Sequence, residues 1–204
     1  MSGYNPAMTL AVDQPRPPRV KRWTKQEYNE LVKRGMFEGL RVYLYRGELI
    51  EMSPQYRPHA FAITELTEAL SVVFGLRQGY KLRIQLPFDV PGDSMPEPNA
   101  LVCTEAQNQR VPHPNAAVLV VEVADSSLAA DRQKAFEYAA AQVPEYWIVD
   151  VAQRRVEVYR NPVADAATPR VFRYPAPTIV EAGGTIEPLA KLGVAISVSQ
   201  FFTT

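Results

Sequence analysis

Glu122 stands inside the run Val118-Leu119-Val120-Val121-Glu122-Val123, and no other feature constrains this chain as much. The apolar stretch 116–124 reads as a central strand covered on both faces. An ionised carboxylate buried there without a partner would cost several kcal/mol or take up a proton. The fold must therefore bring it a cation, either a metal ion or the side chain of a lysine or arginine. A structural ion pair near the strand end and a functional site both meet that demand, and burial alone does not separate them.

Lys134, in the predicted helix that follows this strand, is a candidate partner. Asp131 is read as the N-cap of that helix, which runs to about Ala141 and places Lys134 in its first turn. Helical side chains tilt toward the N-terminus, so the ammonium is aimed back at the end of the Glu122 strand. A lysine is electrostatically unusual at a helix N-terminus, although a solvated surface lysine also fits the position. Asn99 opens the preceding apolar segment, Asn99–Cys103, after Met95-Pro96-Glu97-Pro98. Its amide offers one neutral oxygen to a hard cation, or serves the turn after Pro98. Glu97 falls on the same face if the chain is extended. Glu48 and Glu51 lie in or near a predicted hairpin, and His59 sits at the start of a predicted helix.

The remaining elements follow from caps, turns and periodicity. Residues 1–20 carry Pro6, Pro15, Pro17 and Pro18 and read as a flexible arm, with Arg16, Arg19, Lys21 and Arg22 at its end. The domain proper is expected over 21–204. Thr24 and Glu27 form a capping box for a helix to about Lys33, with Gly35 as its stop. Val42–Tyr45 and Glu48–Met52 flank Arg46-Gly47 as a tight hairpin. Pro58 opens a helix through Phe74. Lys81–Val90 alternates and reads as a half-buried strand. Glu145–Asp150 and Arg154–Arg160 are further strands, 171–187 a strand pair around Gly183-Gly184, and 192–198 a last apolar segment. The order implies an α/β fold, a sheet with helices on its faces.

Composition excludes several classes. Lys plus Arg equals Asp plus Glu at 22 each, so any basic surface for nucleic acid must be local. One cysteine, Cys103, allows no intrachain disulfide and suits a reducing compartment. With no signal-peptide pattern and no apolar run long enough for a membrane span, a cytoplasmic protein without membrane contact is expected. With His59 and His113 the only histidines and a single cysteine, neither a histidine-rich zinc site nor one built on paired cysteines is possible. Phosphate-binding glycine loops and a GxSxG elbow are absent, so nucleotide binding and serine hydrolysis have no support.

Taken in order, Gly47-Glu48-Leu49-Ile50-Glu51-Met52-Ser53-Pro54 with His59, Pro96-Glu97-Pro98-Asn99, Val121-Glu122-Val123, Lys134 with Tyr138, and Val143-Pro144-Glu145-Tyr146-Trp147-Ile148-Val149-Asp150 resemble the Uma-two family of bacterial endonucleases. That family belongs to the PD-(D/E)xK nuclease superfamily. The resemblance covers about residues 23–160 and implies a restriction-endonuclease-like mixed sheet flanked by helices. It also implies hydrolysis of DNA phosphodiester bonds at a Mg²⁺ (or Mn²⁺) site, and a homodimer. A divalent cation neutralises the charge that builds on the phosphate and activates water, and a lysine orients or stabilises the nucleophile. Carried over by position, Glu122 is the motif acid and a metal ligand, Lys134 the motif lysine, Glu48 the N-terminal acid and His59 the nearby histidine. The departure is Asn99, a metal-ligand position where the family has aspartate. The alternative is a non-catalytic nuclease-fold domain that binds DNA or a protein partner.

Overall fold

The computed structural model describes residues 19–75, 78–108 and 112–202. Most of the expected arm, 1–20, lies outside them. Helix α1, Lys25–Lys33, begins with the expected reciprocal cap. The Glu27 N–H donates to the Thr24 hydroxyl, and the Thr24 N–H donates to the Glu27 carboxylate. Strands β1, Val42–Tyr45, and β2, Glu48–Glu51, form an antiparallel hairpin. Its turn residues Arg46 and Gly47 both have positive φ, 50° and 75°, the twist that a two-residue hairpin prefers. Helix α2 spans Arg57–Phe74 with Pro58 in its first turn, where the missing N–H costs nothing.

A six-stranded sheet follows. Its strands are β3 (Tyr80–Ile84), β4 (Ala100–Thr104), β5 (Leu119–Ala124), β6 (Glu145–Asp150), β7 (Arg155–Arg160) and, later in the chain, Thr178–Glu181. Helix α3, Leu128–Ala140, connects β5 to β6, the one parallel pair of this sheet. The short strands β8 (Val163–Ala164) and β9 (Phe172–Arg173) pair with each other, so Thr178–Glu181 is β10. Strands β11 (Thr185–Ile186) and β12 (Ile196–Ser197) make another small ladder, followed by a 3₁₀ turn at Val198–Phe201. The sheet order is β10-β7-β6-β5-β4-β3, with β5 and β6 at its centre.

Strand alternation divides the core into two layers. Leu119, Val121 and Val123 pack with Leu66, Leu70 and Phe74 of α2 and with Phe201 of the 3₁₀ turn. Val120 and Ala124 face the other way, with Tyr138 of α3 and with Tyr146 and Ile148 of β6. Glu122 shares that second face. Among the described residues, no helix is long and apolar enough to cross a membrane.

Three expectations need correction. The strand predicted over Lys81–Val90 stops at Ile84. Gln85 turns to positive φ, 51°, and its N–H reaches the carbonyls of Pro98 and Asn99 instead of a continuing ladder. Phe88 and Val90 are still fully buried, but under the second face of the sheet. The strands around Gly183-Gly184 are not partners: β10 joins β7, and β11 joins β12. Finally, α3 starts at Leu128 with Ser127 as its cap residue, so Asp131 is inside the helix and Lys134 lies in its second turn. The Asp131 carboxylate accepts from Ser127 and Lys134 side chains and does not cap the helix backbone.

Candidate active site

The cation demanded by Glu122 comes from α3. Lys134 Nζ donates to Glu122 Oε1 at 3.0 Å and to Asp131 Oδ1 at 3.0 Å. Tyr138, one turn further along, donates its hydroxyl to the same Glu122 oxygen at 2.7 Å. Asp131, Lys134 and Tyr138 share one face of α3 because they are spaced three and four apart. Asp131 is fixed in turn: Ser127 Oγ donates to its Oδ2 at 2.5 Å, and Tyr146 donates to its backbone carbonyl at 2.9 Å.

The other side of the site comes from β4. Ala100 pairs with Val121 in the antiparallel ladder, which brings Asn99 opposite Glu122. The Asn99 N–H donates to Glu122 Oε2 at 3.3 Å, and the Val123 N–H donates to Asn99 Oδ1 at 2.8 Å. The backbone donor settles the orientation of the amide. Its Nδ2 is left facing His59 Nε2 at 3.5 Å. These side chains wall a cavity of about 270 Å³. Its lining carries the acids Glu51, Glu97, Glu122, Asp125 and Asp131, with Arg41 and Lys134 as the permanently charged bases.

Burial pushes the Glu122 carboxyl above the ordinary carboxylate range, against the pull of the Lys134 ammonium. Burial alone would lower Lys134, but the Glu122 and Asp131 carboxylates outweigh it, and its pKa is raised. The lysine is therefore a locked cation at any physiological pH. Burial lowers His59 below the ordinary imidazole value, opposed by the charges of Asp125 and Asp131, so its ring is neutral at pH 7. Burial raises the Glu97 carboxyl, with Arg41 opposing.

The structure brings Glu122, Lys134, Asn99 and His59 to one cavity. It leaves Glu48 outside. Glu48 follows the hairpin turn, and its carboxylate pairs with Arg22 at 2.5 Å in solvent. Glu51 lies about 10 Å further along the strand at roughly 3.3 Å per residue and lines the cavity instead. Asp131, Tyr138 (named only beside Lys134), Arg41 and Asp125 also belong to the site without having been given a role in it. The spacing 131, 134, 138 was the available signal for the first two. No local pattern marks Arg41, which arrives from a loop before β1.

A hard divalent cation needs several oxygen ligands with a surplus of negative charge. Glu122 Oε1 is taken by Lys134 and Tyr138, Asn99 Oδ1 is taken by the Val123 N–H, and the amide turns N–H donors toward His59. Among the described residues, no group of three or more His, Cys, Asp or Glu side chains is placed to hold a metal ion. The residues as arranged do not fit the Mg²⁺ site that the resemblance implies, and the misfit centres on residue 99.

No curated protein matches this chain. Among solved structures, the fold is similar to a crystal structure described as "a putative nuclease belonging to DUF820" from Anabaena variabilis, with a TM-score of 0.69 and 13% identity over 87% of this chain and 96% of that one. At that identity the likeness shows the fold alone. The match that identifies the chain lies in its sequence, over residues 26–197: it belongs to the Uma2 family, described as "Putative restriction endonuclease".

Proposed function

We propose that the Glu122 cavity receives a phosphodiester of DNA, and that Asn99 has cost this chain most of the metal-dependent hydrolysis that the resemblance implies. The observation that carries this is the Asn99 amide, whose oxygen is held by the Val123 N–H while its nitrogen occupies the side facing His59. An aspartate there would turn a second carboxylate oxygen to the same place. With the amide, a donor stands where a cation would need an acceptor.

A second reading has its own support. The pair Glu122–Lys134, with Tyr138 behind it, is intact, as an active Mg²⁺- or Mn²⁺-dependent endonuclease of DNA requires. In that case Glu122 is the acid and Lys134 the charged group beside the attacked phosphate, with His59 at the edge of the site. Cutting both strands takes two such sites, which makes a homodimer the assembly we propose for this reading. The buried Cys103 thiol suits the cytoplasm, where we place the protein.

The test is duplex DNA binding with and without Mg²⁺, beside plasmid cleavage. We expect binding in the presence of a chelator, no Mg²⁺-induced rise in melting temperature, and little or no nicking. Robust cleavage abolished by Glu122→Ala would favour the second reading. A chain that binds no DNA in either condition would sink both.

A further inference from the structure

Two permanent cations wall the Glu122 cavity, and their situations differ. Lys134 lies between two carboxylates at 3.0 Å each, with its side chain only 14% exposed. Its Nζ also sits 5.7 Å from the centre of the Tyr43 ring. Its charge is matched before any ligand arrives. Arg41 is 45% exposed, and its only ion-pair partner among the described residues is Glu97, at 3.6 Å. That contact is looser than an ordinary hydrogen bond, so most of the guanidinium's donors stay available.

Arg41 is also placed where the surface depressions meet. It lines the Glu122 cavity and two neighbouring hollows of about 600 and 450 Å³. The larger hollow has Tyr28, Phe37 and Met95 on its walls and shares Glu97 with the Glu122 cavity. A strand whose phosphate enters the Glu122 cavity and whose neighbouring residues lie in either hollow passes Arg41. The backbone there is fixed, because the Arg41 carbonyl accepts the Met52 N–H at 2.8 Å.

We propose that Arg41 is the phosphate-binding residue of this protein, gripping the DNA backbone at the mouth of the Glu122 cavity, with Glu97 as the placeholder that a phosphate displaces. A planar guanidinium presents paired donors that match two phosphate oxygens, and no other reachable cation lines this cavity among the described residues. The inference rests on the reading that the cavity receives DNA, and it names the contact that such binding uses.

The test is the affinity of a short DNA duplex, followed against salt in chelator, for the unaltered chain, Arg41→Ala, Arg41→Lys and Glu97→Gln. Each neutralised phosphate contributes about 0.9 to the slope of log affinity against log salt. We expect Arg41→Ala to weaken binding and flatten that slope by about 1. Arg41→Lys should restore the slope but not the full affinity. Glu97→Gln should tighten binding severalfold, because the competing carboxylate is gone. If Arg41→Ala binds with unchanged affinity and slope, this assignment is overturned while DNA binding at the cavity stands. If the unaltered chain binds no DNA, the assignment falls together with the reading beneath it. Should Arg41→Ala fail to fold, Glu97→Gln decides: unchanged or weaker binding overturns the displacement of Glu97 by phosphate.

Discussion

Lys134 Nζ and Glu122 Oε1 meet at 3.0 Å across the gap between α3 and β5, with both side chains nearly removed from solvent. Each group makes the other tolerable inside the protein. Removing one partner of such a pair leaves an uncompensated buried charge, typically a loss of about 3–5 kcal/mol. Lys134→Met should therefore unfold at markedly lower urea than the unaltered chain. The double variant Lys134→Met with Glu122→Gln should recover part of the loss, since the Glu122 charge is then gone as well and only Asp131 has lost its ammonium partner. A double variant no better than the single one would show that the ion pair is not the source of the effect.

The same pair sets a pH dependence. The Lys134 pKa is raised in the folded state, so its contribution is complete below the unfolded lysine value of about 10.4 and is lost as pH rises through the higher folded value. Burial raises Glu122, so the folded state holds that proton more tightly than the unfolded chain does. In Lys134→Met this tendency is no longer opposed by the ammonium. That variant should regain stability as pH falls toward the unfolded glutamate value of about 4.3. Urea melts at pH 7 and pH 5 measure the difference; a variant equally destabilised at both would contradict the assignment.

Glu157 behaves in the opposite sense. Burial alone would raise its carboxyl, but hydrogen bonds from Arg132 and Tyr159 outweigh burial, and its pKa is lowered. Its contribution is present above about 4.3 and is lost as pH falls through the lower folded value. Arg132→Ala should weaken the fold at pH 7 and flatten the acid limb of its stability profile. Equilibrium unfolding between pH 3 and pH 7 checks both, and an unchanged acid limb would rule out Glu157 as its source.

Trp147 lies on β6 and is fully buried against the α2 side of the sheet, as the alternation of Glu145–Asp150 implies. Truncation to Ala should cost about 3–5 kcal/mol, visible as a lower denaturation midpoint with no change in the hairpin or in α1. A loss well under 1 kcal/mol would mean that the core collapses around the gap.

Much of this was legible in sequence because the signals were local. The Thr24–Glu27 cap, the Arg46-Gly47 turn and the all-apolar β5 each follow from residues a few positions apart. The pairing of Glu122 with Lys134 was legible for a different reason: a buried acid must have a cation, and helix geometry leaves few candidates. What was not legible depended on chain reversals. Gln85 breaks the alternating run because its backbone turns left-handed to meet Pro98 and Asn99, which no periodicity reveals. Glu48 and Glu51 are equivalent in composition, and only the direction of the hairpin decides that Glu51 faces the cavity. Asp131 looked like a cap because caps and first-turn acids share the same residue types; the helix starts at Leu128 and holds Asp131 in its first turn.

Asn99→Asp is the substitution that most directly probes the cavity. An aspartate can keep the Val123 N–H on one oxygen, as Asn99 Oδ1 does now. Its second oxygen then replaces the amide nitrogen beside His59, close to Glu122. Without metal, the added charge repels Glu122 across the site and competes for the Lys134 charge, so the variant should be less stable than the unaltered chain. With Mg²⁺ the sign reverses, because two carboxylates now face one position and charged oxygens are what a hard cation prefers. A ligand that binds only the folded state adds about 2.7 kcal/mol at a hundredfold excess over its dissociation constant, enough to offset the repulsion. Thermal melts with and without Mg²⁺ should show a clear shift for the aspartate form and little or none for the asparagine form. Plasmid nicking should appear with the shift, and Glu122→Ala should abolish both. An aspartate form that gains neither would show that residue 99 does not govern metal binding in this chain, and the loss of hydrolysis would have to be sought in the Lys134 lock instead.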